Sequence, residues 1–279
     1  MRQLGSILVV CLAHSAACDA GTATQAAAVE FLLRHRPVHD AHVDVHAHAE
    51  LALQAREALP WATEAPWPIF CEAVLPYACL DEPRQDWRPL LHERCLPLVA
   101  HARTASEVVL ALNGGMWEKL GVRYEPNLSP TFMAPLDVLA SGRASCTGLS
   151  LLLVAACRSV GVPARVAGVG DWGEAFGGGN HVWVEVWVDG GWHHLGAAES
   201  SPLDQTWFDV RLHPADGPRV YASTYRRDEP TDPAVDDEPM RFPLPWRDEL
   251  EASLDAPADG IGVVPAVEVT ARYRRRSDL

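Results

Sequence analysis

Cys146 and His181 are the two residues whose types and settings could do chemistry together. Cys146 follows the small polar turn at residues 141–145. It precedes a strongly apolar stretch at 147–160 with helical character, which Gly161 and Pro163 stop. A cysteine at a helix N-terminus meets unpaired N–H groups and the positive end of the helix dipole. Both lower a thiol's pKa and favour the nucleophilic thiolate. The same N–H groups, that of Cys146 among them, can hold the oxyanion of a tetrahedral intermediate. His181 follows a glycine loop and opens an alternating segment, so a neighbouring strand can bring it to the cysteine as a base. Neither residue is diagnostic alone, because buried structural cysteines are common. Cys157, inside the apolar stretch, reads as one of those.

The elements that must position the pair follow from periodicity. Residues 22–59 read as helical, with Pro60-Trp61 as the stop, and 65–85 read as irregular. A second helical stretch covers 87–120, broken around Pro97 and weakened at Asn113-Gly114-Gly115. Residues 122–140 read as a loop, and VPARVAGVG as a strand. HVWVEVWVDGGWHHLGAAE reads as a β-hairpin turning at Asp189-Gly190-Gly191. Its first arm alternates, with His181, Trp183, Glu185 and Trp187 on one face and Val182, Val184, Val186 and Val188 on the other. Residues 227–258 read as a linker. VVPAVEVTARY reads as a late strand that must pair with the main body.

This order of elements, with the strings Gly161-Val162-Pro163-Ala164-Arg165, Asn180-His181-Val182-Trp183-Val184-Glu185-Val186 and Gly190-Gly191-Trp192, resembles the transglutaminase-like superfamily. The resemblance is strong over about residues 130–210 and extends more weakly back to about 25. It implies an α+β, papain-like fold in which a Cys helix packs on an antiparallel sheet, here with an N-terminal helical lobe. The implied chemistry is acyl transfer. His181 takes the thiol proton, Cys146 attacks a carboxamide or peptide carbonyl, and water or an amine resolves the thioester. Asn180 and Trp183, which flank the histidine strand, are the expected substrate contacts. The family usually places an aspartate where this chain has Leu195-Gly196. Glu199 is the expected substitute, although strict pleating sets residues 196 and 199 on opposite faces, so it reaches only if the strand bulges or turns. No cofactor or metal is expected for this chemistry.

The resulting division is a signal peptide or lipoprotein signal at 1–18, a helical lobe at 22–125, a catalytic core at 126–215 and an extension at 216–279. Arg2, the apolar run at 4–12 and the Ser15-Ala16-Ala17-Cys18 string point to export, with Cys18 as a possible lipid attachment to a membrane. A net charge of −14 without a basic patch argues against nucleic acid as partner and leaves a protein or peptide substrate. No CxxC pair occurs, and Cys71, Cys79 and Cys95 offer one disulfide if the chain is exported. Two other functions compete. The cluster His39, Asp40, His42, Asp44, His46 and His48 has the density of a metal site, against a bland reading as a solvated helix face. A non-catalytic relative could instead bind peptides along Trp183, Trp187, Trp192 and Trp207.

Overall fold

The computed structural model describes residues 24–126, 128–214, 217–226, 266–268 and 272–273. The expected signal segment with Cys18 and the expected linker at 227–258 lie outside them.

The span read as one helical stretch from 22 to 59 is two helices, α1 (Gln25–His35) and α2 (Val45–Ala58). Pro37 and a short 3-10 turn at Val38–Asp40 separate them. The Thr24 side chain caps α1, and Asp44 caps α2 by accepting the N–H groups of His46 and Ala47. Between them Asp40 is buried, accepting from Tyr77 Oη at 2.7 Å and Arg84 Nε at 3.0 Å. The stretch at 65–85 is not wholly irregular, since it holds α3 (Trp67–Ala73), entered through Pro68 in its first turn.

The stretch at 87–120 divides into α4 (Trp87–Val99) and α5 (Ala105–Leu120). The break falls at residues 100–104, not at Pro97, which stays inside α4. Thr104 starts the next helix by accepting from Glu107 N–H, while the Glu107 carboxylate accepts from Arg103 N–H at 2.6 Å. Asn113-Gly114-Gly115 remains helical because burial at Asn113 and its neighbours outweighs glycine's low propensity. The expected loop at 122–140 carries β1 (Arg123–Tyr124) and α6 (Pro135–Ser141). β2 (Arg143–Ala144) then pairs in parallel with β1, Tyr124 opposite Ala144.

The Cys helix is α7 (Cys146–Ser159). Every residue in it except Cys146 itself is buried. A helix apolar on all sides belongs inside a protein, and here it is enclosed by α4, α5 and the sheet. Its end turns at Gly161 (φ 78°), where a Cβ would stand 2.5 Å from the Ala62 Cβ, so only glycine permits the close approach of the N-terminal helices.

The sheet comprises β3 (Ala164–Val169), β4 (His181–Val188), β5 (Gly191–Leu195), then β6 (Tyr221–Ser223) and β7 (Ala266–Glu268) beyond the short helix α8 (Asp209–Leu212). Its order is β5-β4-β3-β6-β7, antiparallel throughout. The valines of β4 join α7 in the main core. On the other face Trp183 packs with Trp172, Phe208 and Tyr273. This is the α+β architecture, a Cys helix on an antiparallel sheet, that the family resemblance implied.

Two interior arginines bind the helices to this core. Arg158 donates to the carbonyls of Ala73, Pro76, Ala78 and Ala164. Arg88, fully buried, donates to those of Val74, Leu75 and Arg158. Their charges are tolerated in the interior because backbone oxygens take up the donors.

Candidate active site

The turn ahead of α7 ends at Ser145, whose Oγ accepts from Gly148 N–H at 3.4 Å and so holds the first turn of the helix. That places Cys146 as the one partly exposed residue of α7, on the wall of a cavity of about 540 Å³. The Cys146 thiol lies against the N–H of Val182, one residue past His181 in β4, and near those of Thr147 and Cys146 itself. His181, Asn180 and Glu199 line the same cavity. The structure therefore gathers Cys146, His181, Glu199 and Asn180 from α7, β4 and two loops.

Trp183 does not join them. It is wholly buried behind His181, 6.0 Å from it ring to ring, and its Nε1 donates to Tyr273 Oη at 2.9 Å. Tyr273 Oη in turn donates to Glu185, which also pairs with Arg165 and Arg272. Trp183 is thus a core residue and not a substrate contact. Trp187 and Trp192 pair with each other away from the cavity. Of the four expected groove tryptophans only Trp207 lines it. Trp172, unmarked in the sequence reading, is a second indole on its wall.

His181 sits in an aromatic box, its ring centroid 5.0 Å from Trp207, 5.1 Å from Phe208 and 6.3 Å from Trp172. Burial, and secondarily the positive charge of Arg211, lower its pKa to about 4. Its Nε2 is buried and has no hydrogen-bond partner, Cys146 included. Cys146 moves against the expectation from its helix position. Burial raises its pKa above the usual 9.0, and the nearby N–H groups only partly offset this. Desolvation of the thiolate outweighs the helix terminus here. Thiol and imidazole both rest in their neutral forms.

Glu199 reaches the cavity through a turn. β5 ends at Leu195, Glu199 N–H closes onto Gly196 O at 3.3 Å, and Ala198 takes a left-handed conformation (φ 64°). Asn113 of α5 clamps this turn. Its Nδ2 donates to the carbonyls of Gly196 (3.0 Å) and Glu199 (2.7 Å), and its Oδ1 accepts from Ala198 N–H (2.9 Å). A Cβ on Gly196 would fall within the Glu199 carboxylate. The glycine therefore leaves vacant the space that the carboxylate of a residue three positions later fills. The carboxylate does not bond His181. Its Oε1 accepts from Trp207 Nε1 at 2.9 Å, and Glu199 thereby fixes the indole that packs on the imidazole. Burial raises the Glu199 pKa.

Two further residues went unmarked in the sequence. Tyr124 lines the cavity beside β2, and burial first and then its nearness to Cys146 raise the pKa of its phenol. Arg211 of α8 lines the same cavity. Neither lies in a motif, and only the lead-in of residues 122–140 to the cysteine hinted at Tyr124. His194 of β5 is buried. It bridges Asp204 (2.9 Å) and Asp209 (2.7 Å), which raises its pKa against the cost of burial.

The metal reading finds no support in the placement of its residues. Asp40 is occupied by Tyr77 and Arg84, Asp44 caps α2, and His48 is buried against Tyr77 and Trp87. Among the described residues no three metal-type ligands converge. Cys71, Cys79 and Cys95 are free thiols, with Cys71 in the core of the N-terminal helices and Cys95 in the main core, so the expected disulfide is not formed.

Residues 96–197 match the family model of the transglutaminase-like superfamily. No curated protein matches the chain. Among solved structures, a candidate cysteine protease from Cytophaga hutchinsonii is similar at 18% identity and a TM-score of 0.37, covering 47% of this chain and 44% of that one. A candidate protease from Parabacteroides distasonis is similar at 14% identity and a TM-score of 0.36, covering 64% of this chain and 29% of that one. The chain thus spans less than half the length of either.

Proposed function

On the premise of a transglutaminase-like domain at residues 96–197, we propose that the protein is a cysteine enzyme that hydrolyses or transfers the acyl group of a peptide or glutamine-type amide through a thioester on Cys146. The observation that carries this reading is the unpartnered, buried Nε2 of His181 in the cavity that also exposes the Cys146 thiol. A buried nitrogen without a partner costs about 1–3 kcal/mol. In a substrate-sized cavity that the Cys146 thiol also lines, that cost is understood as a proton acceptor kept open.

Because both groups rest neutral, the chemistry starts as general base catalysis and not from a stored thiolate–imidazolium pair. Bound substrate draws the histidine to the thiol, as catalytic contacts often tighten only in the complex. Nε2 takes the Sγ proton while sulfur attacks the carbonyl carbon, and the C=O electron pair moves to oxygen. The N–H of Cys146 and the hydroxyl of Tyr124 are the proposed oxyanion donors. Collapse of the intermediate expels the amine, which leaves with the proton from His181. Water or a second amine, deprotonated by His181, then cleaves the thioester. Glu199 acts as a positioning residue through Trp207, and Asn180 contacts the substrate. As in the sequence reading, the substrate is a protein or peptide.

The test uses the full chain with a glutamine-rich protein and a fluorescent primary amine. Amine incorporation that disappears in Cys146→Ala identifies a transferase, and fragments that disappear in the same variant identify a protease. Absence of both, with Cys146 alkylation by iodoacetamide indifferent to His181→Ala, overturns the proposal and leaves a peptide-binding module.

A further inference from the structure

Arg211 is held unlike the interior arginines. Arg88 and Arg158 spend their donors on backbone carbonyls, and Arg165 and Arg84 on buried carboxylates. The guanidinium of Arg211 instead lies against three rings, its Cζ 5.0 Å from the Trp207 centroid, 5.2 Å from Trp172 and 5.8 Å from Phe176. Among the described residues no carboxylate or carbonyl takes its side-chain donors. Stacking satisfies the faces of a guanidinium and fixes its plane, and it leaves the N–H edge available. That edge is the part that binds carboxylates in a bidentate fork.

Its position makes the spare edge consequential. Arg211 lines the same cavity as Cys146 and His181, and its charge acts on the imidazole. Among the described residues it is the one permanent cation in the cavity lining. Glu199, the one carboxylate there among the described residues, is already bonded to Trp207. The chain carries a net charge of −14, but charges beyond about 8–10 Å are screened at physiological salt, so the nearest group decides what enters.

We propose that Arg211 selects acyl substrates that carry a carboxylate close to the scissile amide. This rests on the cysteine-enzyme reading above and adds the substrate class to it. The carboxylate belongs either to an acidic side chain or to the free C-terminus of a peptide. Seating it on Arg211 also offsets the charge that holds the His181 pKa down. A matching substrate therefore makes the imidazole a stronger base than it is in the empty site.

Three bromoacetyl probes of nearly equal size test this: bromoacetyl-asparagine with a free C-terminal carboxylate, bromoacetyl-aspartic acid α-amide with a side-chain carboxylate, and bromoacetyl-asparagine amide with neither. In each, Cys146 Sγ displaces bromide from the methylene carbon, the thiol proton leaving to His181 or solvent. The readout is the ratio of charged to neutral alkylation rates at Cys146, followed by mass spectrometry. One charged probe should react about tenfold faster than the neutral one, the worth of a single charge-assisted contact. Which one wins tells the C-terminal source from the side-chain source. The ratio should fall to about one in Arg211→Gln and be partly kept in Arg211→Lys, which retains the charge but not the fork. A ratio near one in the unaltered protein, or a preference that survives Arg211→Gln, overturns the proposal while leaving the cysteine enzyme standing. Failure of all three probes at Cys146 removes both.

Discussion

His48, which is buried, and His181, which is half-buried, both have a depressed pKa and a buried ring nitrogen without a partner. Burial is the chief cause in each, and a neighbouring arginine adds to it, Arg88 for His48 and Arg211 for His181. His48 falls to about 3, because the nearby charge of Asp44 does not offset the loss of water. The difference lies in what surrounds the rings. His48 packs between Tyr77 and Trp87 within the N-terminal helices, at 4% exposure and outside the lining of the cavity that holds Cys146. His181 stands on the wall of a cavity that also holds Cys146. A perturbed pKa thus marks burial in both places and chemistry in only one, so geometry must come before titration in reading a site.

Replacing each histidine tests that contrast most strongly. His181→Ala should lower turnover, or the alkylation rate of Cys146, by roughly 10²–10⁴-fold, the usual worth of a general base. A loss under tenfold would put His181 in the same structural class as His48.

Acid should destabilise the protein through both rings. A histidine whose pKa is lower folded than unfolded binds its proton more readily in the unfolded chain. Its contribution is therefore full above the unfolded value near 6.5 and declines as pH falls towards 4 for His181 and 3 for His48. For His48 the loss between pH 6.5 and 4 is on the order of 3 kcal/mol. Urea unfolding across that range should show it, and His48→Phe should flatten the curve. An unaltered slope would mean that His48 is not buried in its neutral form.

The turn that carries Glu199 should matter less. Asn113→Ala removes three hydrogen bonds from it, and Gly196→Ala drives a methyl group into the Glu199 carboxylate. Each should cost roughly tenfold in turnover, as misplacement of a positioning group does, and Glu199→Gln should cost no more. If Gly196→Ala is fully active, the carboxylate does not need its present seat.

The smallest effect is expected at His48 itself. His48→Phe should leave the Cys146 rate within about twofold, since sites far apart with no shared partners act independently. A larger drop would mean that the N-terminal helices and the cavity are coupled. In His181→Ala, which has no base to take the proton, Cys146 alkylation should rise about tenfold per pH unit between 6 and 8, because burial keeps the thiol protonated there. A plateau across that range would restore the acidic thiol that the helix position suggested.

The alternation of β4, the turn at Asp189-Gly190-Gly191 and the apolar run after Cys146 are local patterns, and they sufficed for the Cys helix, the hairpin and the face on which each side chain stands. They also singled out Cys146 and His181, to which the family resemblance added Asn180 and Glu199, and all four line one cavity. The split of 87–120 at residues 100–104 was less legible, since Pro97 is the stronger local signal and only packing on α7 keeps it helical.

What the chain determined by itself is therefore what depends on neighbours in sequence: period, caps, turns and the order of strands. The tertiary structure alone decided which way burial moved Cys146, that Glu199 serves Trp207 across the gap at Gly196, that Trp183 lies in the core, and that Arg211 joins the cavity with its edge unspent. Each of these is set by desolvation or by contact between residues far apart in the chain. Such effects scale with distance through space, on which sequence spacing places no constraint.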